Sequence, residues 1–94
     1  RFKDRGSADI FSGFDTETAR KALPLFLHER AAQLLDRIAA ALHPTDLRIP
    51  RSTRLHRLTG DRVGQWSVSI NERYRICFLW ESGEATNVEI VDYH

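Results

Sequence analysis

The chain has 94 residues, with 14 Lys+Arg against 13 Asp+Glu for a net charge of +1, and 41% apolar and 29% charged residues. That composition suits one globular domain with a modest core and excludes a disordered chain or a second independently folded unit. The longest apolar runs, Leu23–Leu27 and Ile38–Leu42, fall well short of the ~20 residues of a bilayer-spanning helix, and the single Cys77 excludes an internal disulfide or a CxxC zinc site.

Residues 1–5 alternate weakly and predict a short edge strand. Residues 6–13 (GSADIFSG) predict a short helix capped by Ser7, with Ile10, Phe11 and Phe14 facing inward. Asp15 or Thr16 caps a second helix over ETARKAL, which Pro24 interrupts. The strongest periodicity runs from residue 25 to 42. Leu27, Ala31, Leu34, Leu35, Ile38, Ala41 and Leu42 recur at spacings of three and four. That predicts an amphipathic helix packed on a sheet, with too few heptads for a coiled coil. His43-Pro44 ends it, and residues 45–52 (TDLRIPRS) read as a polar connection. The period then changes from 3.6 to 2. A short strand around residues 54–58 precedes a half-buried strand, WSVSI, and a tight turn at Asn71-Glu72-Arg73. In the next strand Tyr74, Ile76, Phe78 and Trp80 alternate with Arg75, Cys77 and Leu79. Ser82-Gly83 makes a hairpin turn before a last strand over residues 85–93. The expectation is a single α+β domain over residues 1–94. An N-terminal strand and helices pack on one face of a small antiparallel sheet, and the other face is left to solvent or a ligand. Arg75 belongs to that open face if Tyr74, Ile76 and Phe78 face the core.

Charge is unevenly placed. Residues 1–47 hold seven basic and seven acidic side chains. Residues 48–75 hold Arg48, Arg51, Arg54, Arg57, Arg62, Arg73 and Arg75 against Asp61 and Glu72, for +5. Residues 76–94 hold four acids and no base. Twelve of the 14 basic residues are arginine, the better bidentate phosphate ligand. Such a cluster is equally the footprint of a nucleic acid and an ordinary solvated surface, and charge alone does not choose.

No Gly-rich phosphate loop, paired-His zinc helix or calcium loop is present, so neither a metal nor a cofactor is expected. Cys77 sits within an alternating strand without a sequence-local base, which suits a buried, inert thiol and a reducing compartment. The remaining chemistry lies in His56, Arg57, Arg75, Asp92, Tyr93 and His94. Imidazole, phenol, carboxylate and guanidinium are the groups a metal-free ribonuclease needs: a base for the ribose 2′-OH, an acid for the leaving 5′-oxygen, and a cation for the phosphate. Taken singly, each also has an ordinary reading. His56 reads as a strand histidine, Arg75 as a solvated strand residue, Tyr93 as a half-buried cap on the sheet and His94 as a frayed last residue.

The string LHRLTGDRVGQWSVSINERYRICF, followed by VEIVDYH, resembles the HigB toxins of the RelE/ParE superfamily of bacterial toxin–antitoxin systems. The matching positions are Leu55-His56-Arg57-Leu58-Thr59-Gly60, Gly64-Gln65-Trp66-Ser67-Val68, Arg75-Ile76-Cys77-Phe78 and Asp92-Tyr93-His94. The likeness spans nearly the whole chain. It implies a RelE-like fold and an endoribonuclease that enters the A site of the 70S ribosome. Such an enzyme cuts translated mRNA without a metal and leaves a 2′,3′-cyclic phosphate and a 5′-hydroxyl. It also implies a bacterial cytoplasmic protein inhibited by a HigA-like antitoxin, with operator DNA reached only through that antitoxin. By position His56, Asp92, Tyr93 and His94 match the family's catalytic set, and Arg75 matches its strand arginine. His56 and His94 would share proton transfer, Arg75 would hold the phosphate, and Asp92 and Tyr93 would orient the substrate or a histidine. Arg48, Arg51, Arg54, Arg57, Arg62 and Arg73 are then the expected RNA- and ribosome-binding surface. One position departs from the pattern: Thr59 stands where the family usually has Lys. Arg57 replaces that charge only if the strand bulges or its side chain reaches round. The departure keeps open a weakened toxin that acts with its antitoxin as an operon repressor; a gyrase-poisoning binding module on the same fold is a separate alternative, against which His56 and the C-terminal His94 argue.

Overall fold

The computed structural model describes residues 1–93. Two short helices open the chain, α1 (Arg5–Phe11) and α2 (Glu17–Ala22). Asp4, not Ser7, caps α1, its carboxylate accepting the Ser7 N–H at 2.7 Å. Ser7 is buried instead, and its hydroxyl accepts the Ile90 N–H of the last strand at 3.2 Å. Gly6 lets the helices meet. A Cβ there would lie 2.7 Å from the Thr18 carbonyl oxygen and 2.8 Å from Ala22 Cβ. Thr16 caps α2. Its hydroxyl accepts the Ala19 N–H at 3.1 Å and donates to Asp9 at 2.7 Å. The hydroxyls of Thr16 and Thr18 hold the Asp9 carboxyl below its ordinary value. Phe14 does not face inward. It is 60% exposed, after Gly13 takes a left-handed turn (φ 79°) that carries the chain off the core.

After Pro24 a single 3₁₀ turn, Leu25–Leu27, leads into α3 (His28–Ala40). This helix is shorter than its periodicity predicts. His43 must be extended before Pro44, and Ala41 is already extended, so Leu42 lies beyond the helix and is 86% exposed. Ala31, Leu34, Leu35 and Ile38 form its buried face. The polar connection folds into two further 3₁₀ turns, Pro44–Arg48 and Arg51–Thr53. The buried Thr53 hydroxyl ties them by donating to the Leu47 carbonyl at 2.6 Å.

The rest is an antiparallel meander in sequential order: β1 (His56–Arg57), β2 (Trp66–Ser69), β3 (Tyr74–Glu81) and β4 (Glu84–Asp92). β1 is cut short because Arg54 adopts a left-handed conformation (φ 47°). The N-terminal strand reduces to one parallel bridge, Phe2 to Val88, because Asp4 already caps α1. Val68, Ile70, Ile76, Phe78 and Val88 meet α1 and α3 in the core. β2 is buried on both faces, with Ser67 and Ser69 at 0% and 5% exposure. Among the described residues no helix is long and apolar enough to cross a membrane.

Candidate active-site face

Side chains alternate across a strand, and directly paired residues share a face. With Val68, Ile76 and Phe78 in the core, the pairs His56–Ser67, Ser67–Cys77, Ser69–Arg75 and Arg75–Val91 lie on the opposite, open face. Arg75 is the centre of that face. Its Nε–H is given to the hydroxyl of the fully buried Ser67. One Nη2 hydrogen goes to the Arg54 carbonyl at 3.0 Å, and the same nitrogen lies 3.3 Å from His56 Nδ1. The Tyr93 ring packs against the guanidinium at 5.5 Å. Burial pulls the Arg75 guanidinium below its ordinary value, and Tyr93 opposes that. It remains a cation at neutral pH.

His56 Nδ1 also lies 3.3 Å from the Arg54 carbonyl. Giving Nδ1–H to that carbonyl leaves the Nε2 lone pair to take a proton. The left-handed Arg54 thus supplies one carbonyl to both side chains.

Strand alternation divides the terminal motif. Tyr93 joins Arg75, whereas Asp92 pairs with Tyr74 in register and binds Arg73, with Nη2 to Oδ2 at 2.8 Å. His94 lies outside the described residues.

The expected RNA surface also divides. Arg62 lies 3.5 Å from Glu89, which holds Lys3 at 2.9 Å from the other side. Arg73 is paired with Asp92 and stacks on Tyr74 at 5.2 Å. Arg57 lies over Trp66 at 4.9 Å, on the face away from His56, so it does not replace the charge missing at Thr59. Arg48, Arg51 and Arg54 are exposed and have no ion pair among the described residues. Cys77 is buried on the open face, and burial pushes its thiol up, which suits an inert role. Among the described residues no group of three His, Cys, Asp or Glu is placed to hold a metal.

Sequence reasoning missed two parts of this site, the Ser67 hydroxyl and the Arg54 carbonyl. The Ser67 contact needs the strand register, and the second group is backbone, so no residue type signals it.

The family model for the RelE-like toxin HigB of type II toxin–antitoxin systems matches residues 1–94. Toxin HigB-1 of Vibrio cholerae serotype O1 is 29% identical over 86 residues, covering 92% of this chain and 87% of that protein. The endoribonuclease HigB of Proteus vulgaris is 42% identical over 41 residues, covering 44% of this chain and 45% of that protein. With its helices laid on one face of an antiparallel meander, the chain belongs to the HigB-like, RelE-type toxins of type II toxin–antitoxin systems, which act opposite a cognate antitoxin.

Proposed function

We propose that this chain is a ribosome-dependent mRNA endoribonuclease that halts translation by metal-independent cleavage in the A site of the 70S ribosome. The observation that carries the reading is Arg75, fixed by Ser67 and the Arg54 carbonyl on an open sheet face between His56 and Tyr93. The name of the Proteus relative, an endoribonuclease, supports it.

In the reaction the ribose 2′-oxygen attacks the adjacent phosphorus and loses its proton to a base. The P–O5′ bond breaks, and an acid returns a proton to the leaving oxygen. His56 and His94 share those two transfers. Arg75 holds the charge that grows on the non-bridging oxygens, from a position already fixed by hydrogen bonds. Tyr93 orients the substrate against the guanidinium. Asp92 acts on the end of β4 through Arg73. With Thr59 in place of Lys and Arg57 turned to Trp66, phosphate neutralisation falls chiefly on Arg75. A HigA-like antitoxin restrains the toxin in the bacterial cytoplasm, and operator DNA is reached through that antitoxin.

The test is cleavage of mRNA by purified protein with and without 70S ribosomes, beside Arg75→Ala and His94→Ala. Cuts that need the ribosome and vanish in both variants are expected. A folded parent that cuts under neither condition would replace this reading with a non-nuclease binding module.

A further inference from the structure

Beside Arg75 lies a groove of about 150 Å³ lined by Arg30, Ser52, Arg54, Ser69, Asn71 and Glu72. It adjoins the Arg75 site through two residues. Ser69 is the cross-strand partner of Arg75, and Arg54 gives Arg75 its carbonyl. Its other wall is α3, where Arg30 donates Nε–H to the Ile70 carbonyl at 2.7 Å. That bond sets the guanidinium plane and leaves the two Nη groups of Arg30 without an ion pair among the described residues. Two other polar groups of the groove are already engaged. The Ser69 hydroxyl donates to the Asn71 carbonyl, and Asn71 Oδ1 accepts the N–H of Arg73 and of Tyr74. The groove therefore offers mainly two cationic donor sets, opposed by one carboxylate, Glu72. Further along α3 a second hollow shares Arg30 and Ser52 and adds Arg37 and Asp36.

We infer that this groove holds a backbone phosphate of the RNA strand beside the one that is cut, between Arg30 and Arg54; the inference rests on the nuclease reading above. Two arginines line the groove against a single carboxylate, so an anion there meets net positive charge. A planar fork already fixed by a backbone hydrogen bond loses little freedom when it takes a phosphate. Continuity with the Arg75 site makes the substrate strand the occupant, in preference to ribosomal RNA. Arg30 is the new residue. It lies on α3, far in sequence from the arginine cluster at 48–75, and composition gives no reason to single it out.

The test separates binding from cutting. Binding is measured to 70S ribosomes programmed with an mRNA that lacks the 2′-OH at the A-site codon, which cannot be cleaved. Arg30→Gln is expected to weaken binding by about threefold to tenfold and to lower the salt slope by about one. Arg30→Lys is expected to recover part of the loss. Because Arg30 also supports the Ile70 carbonyl, Arg54→Asn serves as a second variant, and asparagine tolerates the left-handed backbone there. A neutral methylphosphonate at each phosphate flanking the scissile one should weaken the parent at one of the two positions and add nothing in Arg30→Gln. Folded variants that bind like the parent would overturn the inference. So would a methylphosphonate penalty that is the same in parent and variant, since the arginines would then face ribosomal RNA or nothing. Cleavage of the all-ribose mRNA is scored separately. Phosphate-sensitive binding without any cutting would remove the nuclease reading and leave the groove as an RNA site.

Discussion

Replacing Ser67 by alanine removes the hydroxyl that accepts Arg75 Nε–H and that also meets the Cys77 thiol across the strand pair. Ser67 is fully buried, and alanine is nearly its size, so the strand keeps its packing and the effect falls on the orientation of the guanidinium. A hydrogen bond to a charged group is worth about 1.5–3 kcal/mol. Arg75 is only half-buried, so water recovers part of that, leaving about 1–2 kcal/mol of lost transition-state stabilisation. At 25 °C this corresponds to a fall of about fivefold to thirtyfold in kcat/KM for mRNA cleavage on ribosomes. The measurement is a double-mutant cycle with Arg75→Lys, since lysine has no Nε–H to give. Ser67→Ala is expected to cost less than about twofold in that background. An equal loss in both backgrounds, or no loss in the parent, would refute a positioning role for Ser67.

Gly6→Ala drives a methyl group against the Thr18 carbonyl, which as backbone cannot give way. Overpacking of about 3 kcal/mol, less about 1 regained in helix propensity, predicts a net loss of about 2 kcal/mol, a fall of 8–16 °C in Tm by calorimetry. The Asp9 carboxyl is held below its ordinary value of 3.8, so its stabilisation is complete above that pH and drains away as pH falls through the lowered value. Asp9→Asn should therefore melt below the parent near pH 6, with the gap closing toward about pH 2; a gap that stays constant would contradict the assignment. Arg54→Glu should weaken ribosome association and its salt dependence more than Arg57→Glu, because Arg54 borders the Arg75 site while Arg57 lies over Trp66 on the other face. Equal effects in a pelleting assay across salt would count against this division of the surface.

The period of two was enough to separate Arg75 from Ile76 and Phe78 and to put it on the open face. The period of 3.6 found the α3 face, and Thr16 was legible as a cap because its hydroxyl acts three residues away. What escaped depends on distance along the chain. Arg62 meets Glu89 and Arg30 meets Ile70 only after the meander closes, and no local pattern encodes either pair. Ser67 faces Arg75 by virtue of a register set by the Asn71 turn. Asp92 and Tyr93 show a different failure. Alternation alone places neighbours on opposite faces, yet their adjacency in a motif invites reading them as one unit. Periodicity places Phe14 and Leu42 on apolar faces, but the helices end before reaching them, because of Gly13 and the residues leading to Pro44.

The four groups around Arg75 come from four different stretches of chain: the turn before β1, β1 itself, β2, and the residue after β4. No single hairpin supplies them all: Ser67 belongs to the β2–β3 hairpin, Tyr93 follows β4, and Arg54 and His56 precede β2. A nascent or partly unfolded chain therefore has every reactive side chain and no site, because one guanidinium must find all its neighbours together. Killing activity should then switch on with the last cooperative step of folding, not accumulate along it. A variant that frays β1 or the end of β4 would be silent as a toxin while the helices and core hairpin stay intact.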